Sequence, residues 1–332
     1  MGNIPERDLN VKGDLFMPQV VSIGHLCVDV TARTVDSMPS GGQLKPVDNI
    51  FMSTGGCANN CANDMAKLGM DVGIMGKIGM DSFGDYLVQA LAANGVNSEH
   101  LIRDPKEPTS ASVLLVDSHK ERNILHCYGA NTQMTEADVD YEALKGAKIV
   151  VVNAAFLLPA LDGEPMARML EKIQGMGIYT ILDTAWDPHG VWMKAIRPCL
   201  PHLDLFIPSI EEAEQIAGKT DPDEIADVFL AGGAKNVVIK MGKEGAFIKN
   251  ATIREKAPAF VVDAVDTTGA GDSFVAGFTT GLLQGWDLKT CAIFANGVGA
   301  HCVMAPGASA GIKPMAEIIR FIQERMPEFN PQ

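Results

Sequence analysis

The stretch Asp266-Thr267-Thr268-Gly269-Ala270-Gly271-Asp272-Ser273-Phe274-Val275-Ala276-Gly277-Phe278 decides how the chain is read. Two glycines bracket one alanine, so the backbone there can turn tightly and lie against a ligand. From Ala270 to Leu283, small and apolar residues recur at helical spacing, which predicts a loop feeding a buried helix. The first turn of a helix carries unpaired N–H groups and a partial positive charge. Gly269, Ala270 and Gly271 are therefore candidates to cradle an anion. A carboxylate at Asp272 is repulsive beside an anion unless it has a task, such as accepting a proton or holding a metal. Capping the helix is the competing task. The second acid, Asp266, and the two threonines make capping alone insufficient.

A second stretch lies far upstream: Gly55-Gly56-Cys57-Ala58-Asn59-Asn60-Cys61-Ala62, then Leu68-Gly69, Gly76-Lys77-Ile78-Gly79, Asp81 and Gly84. Together the two resemble the N- and C-terminal signatures of the ribokinase-like carbohydrate kinases, the PfkB family, in the family's order. The resemblance covers nearly the whole chain. It implies an α/β fold with a mostly parallel central sheet, helices on both faces and a small β lid. It also implies ATP-dependent transfer of the γ-phosphate to a sugar hydroxyl, with Mg²⁺ and K⁺ as the accompanying ions.

The bulk properties agree with a globular protein and narrow its partners. A length of 332 residues suits one large α/β domain or two smaller ones, with ample core. A net charge of −14 disfavours nucleic acid and anionic membrane as partners. Such an acidic protein has to concentrate positive potential locally if it handles phosphate. Cys27, Cys57, Cys61, Cys127, Cys199, Cys291 and Cys302 are scattered with no Cys-x-x-Cys pair, which points to reduced, buried thiols in a cytoplasmic protein. No apolar leader is visible, and the apolar run Ile149–Leu161 is too short to span a bilayer.

In chain order, 1–18 reads as an N-terminal arm and 19–328 as a single kinase domain. Val20–Gly24 reads as a buried first strand, with Asp29 just past it at a strand end, where ligands of open α/β sheets bind. A surface acid is the plain alternative for Asp29. Residues 30–54 and 109–128 read as short strands and turns, the second a hairpin. By resemblance these form the lid, often also a homodimer interface. Gly55-Gly56 opens a helix to about Leu68, and paired glycines allow a ligand close to the backbone. Beyond Asn131 the pattern settles into βα units. Strands are expected at Ile149–Val152, Tyr179–Leu182, Leu203–Ile207 and Val237–Lys240, with helices near 163–175, 188–198, 211–217 and 223–231. Gly218-Lys219-Thr220 is not a P-loop, because Ala213 stands where a glycine is required; Gly218 reads as a helix end.

The resemblance also distributes roles. Asp272 becomes the base, with Gly269, Ala270 and Gly271 as its anion hole. Asp29, Gly55, Gly56 and Asn60 become sugar ligands, joined by Arg122, which could meet a sugar acid's carboxylate or only solvent. Lys240, Gly242, Gly245 and Asn296 flank the nucleotide. Ser209 and Glu212 stand where the family carries Asn-x-x-Glu for Mg²⁺ and phosphate organisation; the Asn is replaced by Ser209, or its work passes to another group. Asp266 and Thr268, with a loop like Gly307–Gly311, imply a K⁺ site. Family members acting on sugar phosphates carry Lys after the paired glycines, where this chain has Cys57. The competing readings are a nucleoside kinase of the same fold, with Phe51 and Tyr128 as its candidate base contacts, and a non-catalytic sugar-binding regulator. The latter is expected to lose Asp272 or the glycine loop, and both are present.

Overall fold

The computed structural model describes residues 18–119 and 121–331. Thirteen strands are formed among them: β1 (Val20–Gly24), β2 (Cys27–Arg33), β3 (Asn49–Gly55), β4 (Val72–Gly79), β5 (Leu101–Asp104), β6 (Ala111–Val116), β7 (Arg122–Cys127), β8 (Ile149–Ala155), β9 (Tyr179–Thr184), β10 (Leu205–Phe206), β11 (Asn236–Lys240), β12 (Ala246–Asn250) and β13 (Arg254–Ala257). The helices are α1 (Cys57–Lys67), α2 (Ser82–Ala93), α3 (Glu164–Gly175), α4 (Met193–Ile196), α5 (Ile210–Ala217), α6 (Pro222–Ala231), α7 (Ala270–Leu283), α8 (Leu288–Val303) and α9 (Met315–Arg325).

Nine strands make the main sheet, in the order β13-β12-β11-β10-β9-β8-β1-β4-β5. All its pairs from β5 through β11 are parallel, and β12 and β13 add an antiparallel edge. The strand sequences are runs of buried Val, Ile and Leu rather than alternating ones, as a sheet covered on both faces requires. Alternate residues serve two cores. Val151, Ile181 and Val238 pack with α1, α7 and α8, while Val150, Val152, Leu182 and Ile239 pack with α3, α5 and α6. The strand order reverses between β1 and β8, which places a crevice at the carboxyl ends there.

A second sheet, β3-β2-β6-β7, is the lid. It starts at Cys27 rather than at residue 30, so Asp29 lies inside a lid strand and not at the end of β1. Full pairing of β2 with both β3 and β6 fixes this, and such long-range pairing leaves no local signal. The helix expected over 188–198 shrinks to α4. Asp187 accepts from the His189 and Trp192 amides and holds the preceding segment as a loop, where Trp192 takes φ 36°. The strand expected over 203–207 keeps two residues, β10. Gly218 does end α5, in the left-handed conformation. Of the expected arm, only Pro18 lies within the described residues, and it is buried. All seven cysteines are unpaired, but Cys127 is exposed on the lid, against the expectation of uniformly buried thiols.

Candidate active site

Glycine at 269 is dictated by its backbone. It holds φ 77° as the N-cap of α7, and a Cβ there would meet the backbone of Ala308. The N-terminus of α7 is thereby pressed at Gly269 against Ala308 of the 307–311 segment. Asp266 locks it: Oδ1 accepts from the Thr268 amide at 3.0 Å and its hydroxyl at 2.7 Å, and Oδ2 accepts from the Gly307 amide at 3.1 Å. Partial burial works against this carboxylate, but those donations hold its pKa below the ordinary value.

Asp272 stands in the first turn of α7, yet its carboxylate engages a group across the cleft. Asn60 Nδ2 donates to Asp272 Oδ2 at 2.7 Å, joining α1 to α7. Enclosure pushes the Asp272 pKa up; the Asn60 bond and Lys240 pull it back in part. Lys240 is the cation that the local sequence does not reveal. It ends β11 and pairs with Asp183 at the end of β9, Nζ to Oδ1 2.5 Å, both buried. Burial opposes its charge, but Asp183, Glu212 and Asp272 around it outweigh that and hold its pKa above the lysine norm.

These groups line one cavity of about 860 Å³ that includes Cys57, Asp183, Ser209, Glu212, Lys240, Gly242, Gly245, Gly269, Ala270, Gly271, Asp272 and Asn296. Catalytic and nucleotide-side expectations therefore converge on one place. Glu212 accepts from the Ser209 amide at 3.2 Å and from the Thr184 hydroxyl at 2.7 Å. Thr184, unremarked in the sequence, is thus a second hydroxyl beside Ser209. Asn296 reaches the cavity but commits its amide to the carbonyls of Pro258 (3.0 Å) and Ala257 (3.3 Å), so it also fixes the cavity wall. The fold and this constellation agree with the comparisons. Residues 17–315 match the model of the pfkB family carbohydrate kinases.

The chain belongs to the pfkB family of carbohydrate kinases. It is 30% identical over 295 residues to the 2-dehydro-3-deoxygluconokinase of Bacillus subtilis, covering 85% of this chain and 90% of that one. The crystal structure of Thermotoga maritima ribokinase is similar with TM-score 0.81 at 25% identity, covering 92% of this chain and 99% of that one. Arabidopsis thaliana ribokinase, solved with ribose and ATP, is similar with TM-score 0.80 at 23% identity, over 92% and 99% of the two chains. The protein is accordingly a carbohydrate kinase of ribokinase-like fold.

On the lid side of this kinase, Asp29, Ser53, Ser112 and His126 form one cross-strand row, and directly opposed residues share a face. Arg122 lies on that same face, two rows along. It reaches Thr268 on the anion loop, so the face looks into the cleft. Arg122 is therefore placed against Thr268 and Asp266, which the sequence reading had separated as sugar and cation sites. Ser112 Oγ and His126 Nδ1 are 3.1 Å apart, and burial raises the Asp29 pKa despite Ser112 and Cys27 beside it. Gly55 and Gly56 do not lie open to a ligand here. A Cβ on Gly55 would strike the Asp29 carboxylate, and one on Gly56 the backbone from His25 to Cys27. Their freedom serves the seating of the lid on α1. Among the described residues, no cluster of three or more His, Cys, Asp or Glu could hold a metal.

Asp64 is a further group the sequence left unremarked. One helical turn beyond Asn60, it is fully buried and accepts from Ser273 Oγ at 2.6 Å, so α1 grips the two consecutive residues Asp272 and Ser273. Burial raises its pKa to about 7 against the pull of Ser273. The folded state thus keeps a proton that the unfolded chain releases above 3.8, and stability is lost as pH rises from there through about 7. Asp64→Asn removes that titration. Its melting temperature relative to wild type is expected to rise between pH 5 and pH 8; a pH-independent difference would contradict the assignment.

Proposed function

We propose that the protein transfers the γ-phosphate of ATP to a primary hydroxyl of a free sugar or sugar acid. The observation that carries this is Asp272 held by Asn60 at the N-terminus of α7, beside the Gly269–Gly271 amides and within the influence of Lys240. An acceptor on the lid row of Asp29, Ser112 and His126 would present its hydroxyl to Asp272. Asp272 takes the hydroxyl proton as the oxygen attacks phosphorus, and its raised pKa suits that task. The amides of Gly269, Ala270 and Gly271 face the charge that develops on the phosphoryl oxygens, where fixed dipoles act most strongly. Lys240, Gly242, Gly245 and Asn296 bound the nucleotide side. The lid excludes water, the competing nucleophile.

The ions fit this frame. Glu212, with Ser209 and Thr184 beside it, offers the oxygen-rich wall a hydrated Mg²⁺ prefers, and the ion would neutralise phosphate charge. Asp266 and Thr268, tied to the 307 loop, are the expected oxygen ligands for K⁺, which would have to share them with the Arg122 guanidinium already on Thr268 Oγ1 and Asp266 Oδ1. We read residues 19–328 as one domain with the lid built into it. The outer apolar side chains Ile50, Met52 and Leu125, exposed by 46–64%, suit a second copy of the chain. No described helix is long and apolar enough to cross a membrane, and unpaired cysteines fit a reducing cytoplasm. A nucleoside acceptor is less favoured. Arg33 lies over the Phe51 ring at 5.5 Å and Tyr128 meets His126 edge-to-face, so both rings already have a partner where a base would stack.

Three outcomes follow. Asp272→Asn should lower turnover by at least roughly 100-fold, as for loss of a general base, with nucleotide affinity nearly unchanged; near-normal turnover in the folded variant would refute the base. K⁺ should raise the rate by ordering the anion loop, and equal rates in K⁺ and in tetramethylammonium would count against the site at Asp266 and Thr268. Cys57 borders the cavity as a neutral thiol, its pKa raised by burial and then by Asp272 and Asp183, so it offers no charge to a substrate's phosphate. In competition among fructose, ribose, ketodeoxygluconate and fructose 1-phosphate, an unphosphorylated compound should win. A clear preference for the phosphorylated sugar would overturn the Cys57 argument.

A further inference from the structure

The lid contributes a group whose place differs from its expected one. Arg122 opens β7, and its Nη1 donates to Thr268 Oγ1 at 2.6 Å and pairs with Asp266 Oδ1 at 3.4 Å. Thr268 immediately precedes Gly269, so the guanidinium lies at the entrance of the anion loop. Both contacts use Nη1 alone, out of a fork of five donors. The side chain remains 39% exposed, so its other donors are not all buried in protein contacts. Arg33, in the same cross-strand row, is turned onto the Phe51 ring instead.

The electrostatics call for such a group. Phosphoryl transfer spreads negative charge over the equatorial oxygens, and catalysis consists mainly of positioning and neutralising it. Here Asp183, Glu212 and Asp272 surround Lys240, whose charge is largely taken up by Asp183. From the lid, the row proposed to meet the acceptor presents Asp29, Ser53, Ser112 and His126, none of them a fixed cation. Arg122 meets the loop on which the transferred group would rest.

We propose that Arg122 is a catalytic residue that gives its remaining guanidinium donors to the phosphoryl group in transit, with Thr268 holding the fork in place. This rests on the kinase reading above. In the step, the bond from phosphorus to the β-bridging oxygen breaks and the bond to the acceptor oxygen forms. The hydroxyl proton goes to Asp272, and Arg122 stays charged throughout. Because Thr268 is reached from the lid, the charge is in place only when the lid is down over the acceptor.

The test compares the full-length wild type with Arg122→Gln and Arg122→Lys on the best acceptor found. It reads kcat and KM for acceptor and ATP, and the affinity for ADP alone against ADP with aluminium fluoride, which mimics the group in transit. Arg122→Gln should lose at least roughly 100-fold in kcat, the size of one lost transition-state donor. Its affinity for ADP–aluminium fluoride should fall in parallel, while acceptor KM and ADP affinity hold. Added guanidinium ion should restore part of the rate, and Arg122→Lys should lie between, because it keeps charge but loses the fork. A raised acceptor KM at unchanged kcat would give Arg122 to the acceptor and overturn the proposal. Equal binding of ADP–aluminium fluoride by wild type and Arg122→Gln would reduce it to a latch and overturn it also. A wild type that phosphorylates no acceptor would remove the kinase reading and this inference together, an outcome distinct from an active wild type matched by its variants.

Discussion

A single buried ammonium organises the inner site. Lys240 ends β11 and is placed among Asp183 at the end of β9, Glu212 on α5 and Asp272 on α7. Three carboxylates cannot share a buried space without a counter-charge, since burying an unpaired ion costs far more than burying a pair. The carboxyl end of the sheet, α5 and α7 thus converge on one charge. The three acids take up the charge of Lys240, so what this region offers an anion is the α7 N-terminus.

The second constraint is the way α1 and α7 hold each other. Asn60 and Asp64, one turn apart, grip Asp272 and Ser273, and Lys67 Nζ bonds the Ser309 carbonyl at 2.6 Å. Asp266 then ties the anion loop to Gly307. Asp272, the α7 N-terminus and the C-terminal loop form one braced unit, which the lid sheet meets from the other side through Arg122. Bracing of this kind keeps reacting groups near productive geometry, which is where most of the benefit of positioning arises.

Much of this is legible in the chain. The glycine loop before Asp272 and the Gly55–Asn60 stretch mark the family by residue type and spacing, and the βα pattern beyond Asn131 follows hydrophobic runs. What was not legible depends on pairing across long separations. Asp29 reads as a strand-end acid, because nothing local shows that Cys27–Arg33 pairs with β3 and β6. Lys240 reads as a strand end beside the nucleotide, but its pairing with Asp183 has no local signal because Asp183 is 57 positions away. Thr184 and Asp64 gain meaning only from Glu212 and Ser273, on other elements. The helix over 188–198 fails because Asp187 spends its carboxylate on two loop amides.

The central claim is that Asp272 takes the acceptor's proton under the joint influence of its enclosure and Lys240. Enclosure raises its pKa above the ordinary 3.8 and Lys240 lowers it, so the rate should fail on the acid side as Asp272 becomes protonated. The most direct measurement is the pH dependence of kcat/KM for wild type and Lys240→Gln, the latter read on whatever rate remains. The account predicts an acid limb above the ordinary aspartate range that moves to higher pH when the ammonium is removed. A rate flat through the carboxylate range, or a limb that stays in place without Lys240, would contradict it.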